Sequence, residues 1–81
     1  MHKVTIKDLV ELLEEVVDIS GIKVDGCSIL GEDIPIDSKE MLRIISRIET
    51  RYQFRFETKE IFGLKTLNDL LETIRIHIST V

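Results

Sequence analysis

Three observations predict an all-α fold. Apolar residues recur at helical spacing in three separate stretches, each stretch opens on a capping signature, and only one segment alternates like a strand. A lone alternating segment has no partner with which to build a sheet.

The first stretch reads as a helix over residues 5–18. Ile6, Leu9, Val10, Leu13, Val16 and Val17 follow the i, i+3, i+4 spacing of one face, and Lys7, Glu11, Glu14 and Glu15 take the other. Thr5 with Asp8 is the N-terminal cap signal, and the helix is expected to stop near Ser20-Gly21, where glycine accepts a left-handed ending.

Residues 20–37 form a long connection with Gly21, Gly26, Gly31 and the single proline, Pro35. Its apolar residues Ile22, Val24, Ile29, Leu30, Ile34 and Ile36 are too many for a free linker, so the segment is expected to pack across a helical core, with a short turn of its own. Loops of this length are uncommon in compact domains unless they serve a function.

The second helix is expected over 38–52, because Pro35 disfavours an earlier start. Met41, Ile44, Ile45, Ile48 and Tyr52 make its inward stripe. Phe54 and Phe56 then alternate with Gln53, Arg55 and Glu57, which we read as an extended connection with Phe56 pointing inward. Residues 58–62 suit one short helical turn closed by Gly63. Thr66 caps a last helix in which Leu67, Leu70, Leu71, Ile74 and Ile78 share a face. The sum is a four-helix bundle, three helices long and one short, with a long ordered loop between the first two. Leu13, Ile44, Ile48, Leu70 and Ile74 are expected in one core.

Size and composition agree. Eighty-one residues suffice for one domain, 1–81, and not for a second core. With 43% apolar and 32% charged residues the chain is globular, and only four residues are aromatic, so the core is built from Leu, Ile and Val. No apolar run reaches membrane-spanning length, and acids interrupt the apolar stretch of residues 1–20, unlike a secretory signal. Cys27 is alone, which leaves no internal disulfide and no thiolate-rich metal site. A cytoplasmic, monomeric domain is the expectation. The net charge of −4 is uneven: residues 1–37 hold three lysines against nine acids, and residues 38–81 hold eight cations against six acids. That balance argues against simple nucleic-acid binding, which favours an overall basic domain.

Asp37-Ser38, at the start of the second helix, is the candidate site. Two readings are open for it. Asp37 with Glu40 three residues on has the form of a capping box, and the serine can share in that cap. Alternatively the Ser38 hydroxyl is an exposed nucleophile that accepts a phosphate-linked prosthetic group. A helix start suits the second reading, because its unpaired N–H groups and positive dipole end favour a phosphodiester.

The whole pattern resembles the acyl carrier protein family. Asp37-Ser38 stands where that family has Asp-Ser, Ile44, Ile45 and Ile48 fall on its inward aliphatics, and Tyr52 falls on its usual Phe. The run Tyr52-Gln53-Phe54-Arg55-Phe56, the short turn at 58–62 and Thr66-Leu67 fit in the same register. The resemblance implies that Ser38 carries 4′-phosphopantetheine covalently and that Asp37 fixes the helix start and takes part in recognition by a phosphopantetheinyl transferase. It implies a non-catalytic protein that holds an acyl or aminoacyl group as a thioester for the enzymes that load and process it.

Other features separate this chain from the usual pattern. Lys39 follows the serine where the family has Leu or Ile, Ile34-Pro35-Ile36 replaces Leu-Gly-x before the Asp, and the second helix carries Lys39, Arg43, Arg47 and Arg51. These cations recur every four residues and drift slowly around one side of the helix. They are either a solvated face with local acid partners or a partner-contact stripe. In the second case Lys39, Leu42, Arg43, Ser46 and Arg47 face the partner enzymes, whose docking patches are then acidic, and the chain is a specialised carrier.

The remaining candidates point elsewhere. Cys27 is expected to be a buried or half-buried thiol, His77 to lie on the outer face of the last helix, and His2 to fray at the chain end, so no metal pair is expected. Glu14, Glu15 and Asp18 read as a solvated face. The rival function is an unmodified small helical interaction module that uses the basic face of the second helix to bind a protein or nucleic acid. Within that class the long loop disfavours a helix-turn-helix, which needs a short turn.

Overall fold

The structure is a computed structural model and describes residues 4–79. Four helices follow in order: α1 (Ile6–Glu14), α2 (Ser38–Tyr52), α3 (Thr58–Phe62) and α4 (Leu67–Ser79). α1 packs against both α2 and α4. The fold is all-α, and the five residues expected in one core are all buried in it.

Each helix start is secured by a side chain close in sequence. Thr5 Oγ1 accepts from the Asp8 N–H at 3.3 Å while Asp8 Oδ2 accepts from the Thr5 N–H at 2.9 Å. Thr66 and Asp69 do the same for α4, at 3.2 and 3.0 Å. For α3, Glu60 Oε1 accepts from the Glu57 N–H at 2.8 Å. Such caps satisfy donors that no helix can satisfy internally.

The first helix is shorter than the apolar period suggests, ending at Glu14 and not at residue 18. Its last turn tightens, with the Glu15 and Val16 N–H groups donating to Leu12 and Leu13 carbonyls three residues back. Two β-branched residues, Val16 and Val17, then meet Asp18, whose Oδ1 accepts from the Ser20 N–H at 3.0 Å. A local side-chain bond of this kind competes with helix continuation. Val17 and Ile19 still reach the core, now from a non-helical backbone, and Gly21 takes the positive φ of 78° that only glycine adopts freely. Leu12, which the expected stripe omits, is fully buried.

The long connection holds turns and no helix. It is ordered by α4: Leu67 and Asn68, at the α4 start, donate their N–H groups to the Ser28 and Gly26 carbonyls at 3.1 and 2.8 Å. Leu30 N–H donates to the Lys65 carbonyl at 2.8 Å, and Ile34 is fully buried. The loop therefore supplies acceptors to the orphan donors of a helix, which explains how its backbone is satisfied without regular structure.

α2 keeps the expected bounds, with Ile44, Ile45 and Ile48 buried and Met41 and Tyr52 packed against them. It ends through Gln53 at φ 56°, a left-handed C-cap supplied by a residue other than glycine. The segment after it is extended, and Phe56 turns inward.

Two placements correct the sequence reading. Cys27 is exposed, because the Asp25 side chain accepts its N–H and folds that stretch into a surface turn. His77 is not on a solvated outer face: its ring stacks on Phe54 at 4.5 Å, and Nε2 lies 2.9 and 3.0 Å from the two Glu60 carboxylate oxygens. His2 lies outside the described residues.

Candidate functional site

The site is built at the start of α2. Asp37 is the N-cap, with extended backbone (φ −89°, ψ 177°). Its Oδ1 accepts from the Glu40 N–H at 2.7 Å, and Glu40 Oε1 accepts from the Asp37 N–H at 3.0 Å. The cap thus consists of Asp37 and Glu40. Ser38, the first helical residue, takes no part in it: its side chain is exposed, and among the described residues its hydroxyl makes no hydrogen bond. Of the two readings of this serine, the cap belongs to its neighbour.

Ser38 is among the residues lining a largely apolar groove of about 420 Å³ formed by α2, α3 and the long loop. Asp37, Met41, Leu42 and Ile45 line it from α2 and its cap, Ile61, Phe62 and Leu64 from α3 and the residues after it, and Leu30, Gly31 and Ile36 from the long loop. The loop thereby acquires a role that its apolar content alone did not specify. The groove was not legible in the sequence, because its walls come from three separate segments. The signal that existed was Leu42 and Phe62, apolar residues off the inward stripes, which are 63% and 82% exposed.

The basic residues of α2 divide into two pairs. Arg47 and Arg51 both bond Glu15, just past α1, at 2.9 and 3.1 Å. Their guanidinium groups hold the Glu15 carboxyl below the usual carboxylate range, the Arg51 hydrogen bond being the main cause. Lys39 and Arg43 are exposed and form no ion pair among the described residues. Leu42 and Ser46 are also exposed. Lys39, Leu42, Arg43, Ser46 and Arg47 are thus all exposed on α2, and Arg47 also bonds Glu15, just past α1.

Three further groups are shifted by their surroundings in the fold. Backbone hydrogen bonding at Glu57 and then the His77 bond lower the Glu60 pKa, and backbone hydrogen bonding at Thr66 lowers that of Asp69. Burial raises the Tyr52 pKa. Among the described residues no cluster of three or more His, Cys, Asp or Glu could hold a metal ion, and no helix is long and apolar enough to cross a membrane.

A small helical bundle with an uncommitted hydroxyl at a helix start, beside an apolar groove, fits a carrier domain. Comparison with known proteins agrees: residues 7–74 match the family described as the phosphopantetheine attachment site. The chain is 30% identical over 70 residues to the meromycolate extension acyl carrier protein of Mycolicibacterium aurum, spanning 86% of this chain and 72% of that protein. No solved structure gives a significant match. The chain belongs to the acyl carrier protein family of phosphopantetheine-binding domains and is, like that family, a non-catalytic carrier.

Proposed function

We propose that Ser38 is the single attachment point of 4′-phosphopantetheine and that the protein carries an acyl or aminoacyl group in a specialised biosynthetic pathway. The observation that carries this reading is the division of labour at the α2 start, where Asp37 caps and Ser38 stays exposed and unbonded. The residues present fit the group. Ser38 Oγ would hold it through a phosphodiester, the first N–H groups of α2 would face the phosphate, and the adjacent groove offers apolar surface to what extends from it.

In the attachment step the Ser38 oxygen forms a bond to the pantetheine-side phosphorus of coenzyme A. The diphosphate bond breaks, adenosine 3′,5′-bisphosphate leaves, and the hydroxyl proton passes to a base of the transferase. When bound, the arm supplies a terminal thiol that holds cargo as a thioester. This chain's own residues do the rest: Asp37 fixes the position of the helix start, and Lys39, Leu42, Arg43 and Ser46 present the face that enzymes meet. Arg47, engaged with Glu15, borders that face.

The exposed cations support partners with acidic docking patches, and such partners differ from those of carriers with an acidic second helix. The relative's name, with its reference to meromycolate extension, supports acyl cargo over aminoacyl. We read the domain as a cytoplasmic monomer that meets its enzymes in turn. The rival module reading draws on the basic face of α2, where Arg47 and Arg51 share the one Glu15 carboxylate and Lys39 and Arg43 form no ion pair among the described residues. The test is an intact mass spectrum of the protein from its native host. The proposal predicts a population bearing one arm mapped to Ser38; a wholly unmodified population favours the interaction module.

A further inference from the structure

α3 is the one helix that buries no residue: Ile61 packs partly against the core, while Thr58, Lys59 and Phe62 are exposed. Ile61 and Phe62 nevertheless line the groove that Ser38 lines, so whatever holds α3 in place sets the shape of that groove. A polar contact supplies part of the hold. Glu60 reaches α4, where His77 Nε2 lies 2.9 and 3.0 Å from its two carboxylate oxygens. Both partners are fixed in advance. The His77 ring stacks on Phe54 with planes 7° apart and meets Phe56 at 72°, and Glu60 Oε1 also accepts from the Glu57 N–H at 2.8 Å. The two side chains are 25% and 24% exposed, against 83% and 63% for the Lys59–Glu57 pair. The contact is therefore less screened, and costs less side-chain freedom, than an ordinary surface pair.

We propose that the Glu60–His77 contact is a pH-sensitive latch that holds α3 to α4, and with it the α3 side of the groove, tightening as His77 gains a proton. An ionised carboxylate only accepts, so Nε2 carries the hydrogen of the contact. The proton gained on acidification then goes to Nδ1 and turns a hydrogen bond into a charged pair. Glu60 stays ionised over that range, because the Glu57 backbone bond and then the His77 bond hold its carboxyl below the usual carboxylate range. The charges on the surrounding elements have contacts of their own. Lys59 of α3 pairs with Glu57 at 3.4 Å, Glu49 of α2 accepts the Phe56 N–H at 2.9 Å, and Arg75 of α4 donates to the Val4 carbonyl at 3.1 Å. Linkage sets the sign. The latched form binds the proton more tightly than the open form, so the latch is strongest below the imidazole titration and relaxes as pH rises through it.

The test uses the full, unmodified chain, so its outcome is separate from the reading of Ser38. Amide hydrogen exchange, corrected for the intrinsic effect of pH, is followed by NMR between about pH 5.5 and pH 8 in wild type, Glu60→Gln and His77→Phe. Glu60→Gln keeps an acceptor without the charge, and His77→Phe keeps the stack on Phe54 without the bond. The Ile61, Gly63 and Leu64 N–H groups bond within this turn. Their protection should rise about threefold on acidification in wild type, in step with the His77 ring signal, and stay level in both variants. The amide shifts of Met41 and Leu42, which line the same groove, should follow the ring signal in wild type. Level protection in wild type, or the same rise in both variants, overturns the proposal. Met41 and Leu42 shifts that ignore the ring titration overturn it too, because the latch would then not reach the groove. If His77→Phe melts early, Glu60→Gln alone decides.

Discussion

Asp37 and Glu40 hold each other's backbone N–H groups at 2.7 and 3.0 Å, and this reciprocal pair leaves the serine between them uncommitted. A single residue at that helix start could not both cap the helix and stay available for modification. Giving the cap to Asp37 separates stability from chemistry, so the two can be tested by separate substitutions.

Asp37→Ala should lower stability by about 1 kcal/mol, the ordinary loss for an N-cap carboxylate. Ser38→Ala should change it by less than about 0.5 kcal/mol, because the hydroxyl makes no bond within the described residues. Urea unfolding of both variants checks this. Equal losses would mean that Ser38 shares in the cap.

Ile48 is fully buried at the middle of α2. Ile48→Asp would place an unpaired charge in the core, a cost of several kcal/mol against a small domain's marginal stability. Cooperative thermal unfolding, followed by circular dichroism, should disappear. A variant that melts like wild type would contradict the register of α2.

Glu15, Asp18, Glu60 and Asp69 all have pKa values below the ordinary carboxylate range, each through hydrogen bonds to the folded chain. A folded pKa below the unfolded one means that the unfolded chain binds protons first as pH falls. Their stabilisation is therefore complete above the unfolded values, about 4.5 for Glu and 3.8 for Asp, and is lost as pH drops through the lower folded values. Melting temperature should fall on acidification below about pH 4.5, and Glu60→Gln should flatten part of that decline. An unchanged acid limb in Glu60→Gln would show that its bonds to Glu57 and His77 contribute nothing in solution.

The open cations beside Ser38 make a prediction about partners. Lys39→Glu with Arg43→Glu should increase turnover by a ketosynthase or acyltransferase from housekeeping fatty-acid synthesis, whose basic patch would otherwise be repelled, and the gain should shrink as salt is raised. Wild type serving that enzyme well, with no gain on reversal, would mean that the stripe is only a solvated face.

What could be read from the sequence was local. The bounds of α2, the turn at Thr58–Phe62 and the cap at Thr66 follow from residues within a few positions of one another, and the structure keeps all three. What could not be read was made by distant pairs. Glu15 meets Arg47 and Arg51 across α1 and α2, and His77 meets Glu60 and Phe54 across α4, α3 and the extended connection. No spacing rule reaches that far: spacing alone names no acid partner for Arg47 or Arg51, and it puts His77 on an outer face that the structure does not keep. The early end of α1 is a different case. Its apolar period continues through Val17, but the Asp18 side chain captures the Ser20 N–H and the chain turns. For the site itself, Asp37 and Ser38 were visible as a pair, whereas the groove beside them needed the folded loop.

The most direct test of the central claim is in vitro modification followed by peptide mapping. Wild type and Ser38→Ala are each incubated with coenzyme A and a transferase, using the native host's enzyme alongside one of broad specificity. Wild type should gain the mass of one phosphopantetheine, localised to the peptide that contains Ser38, and Ser38→Ala should gain none while remaining folded. An arm found on Ser38→Ala, or wild type that stays unmodified with both transferases, would contradict the account.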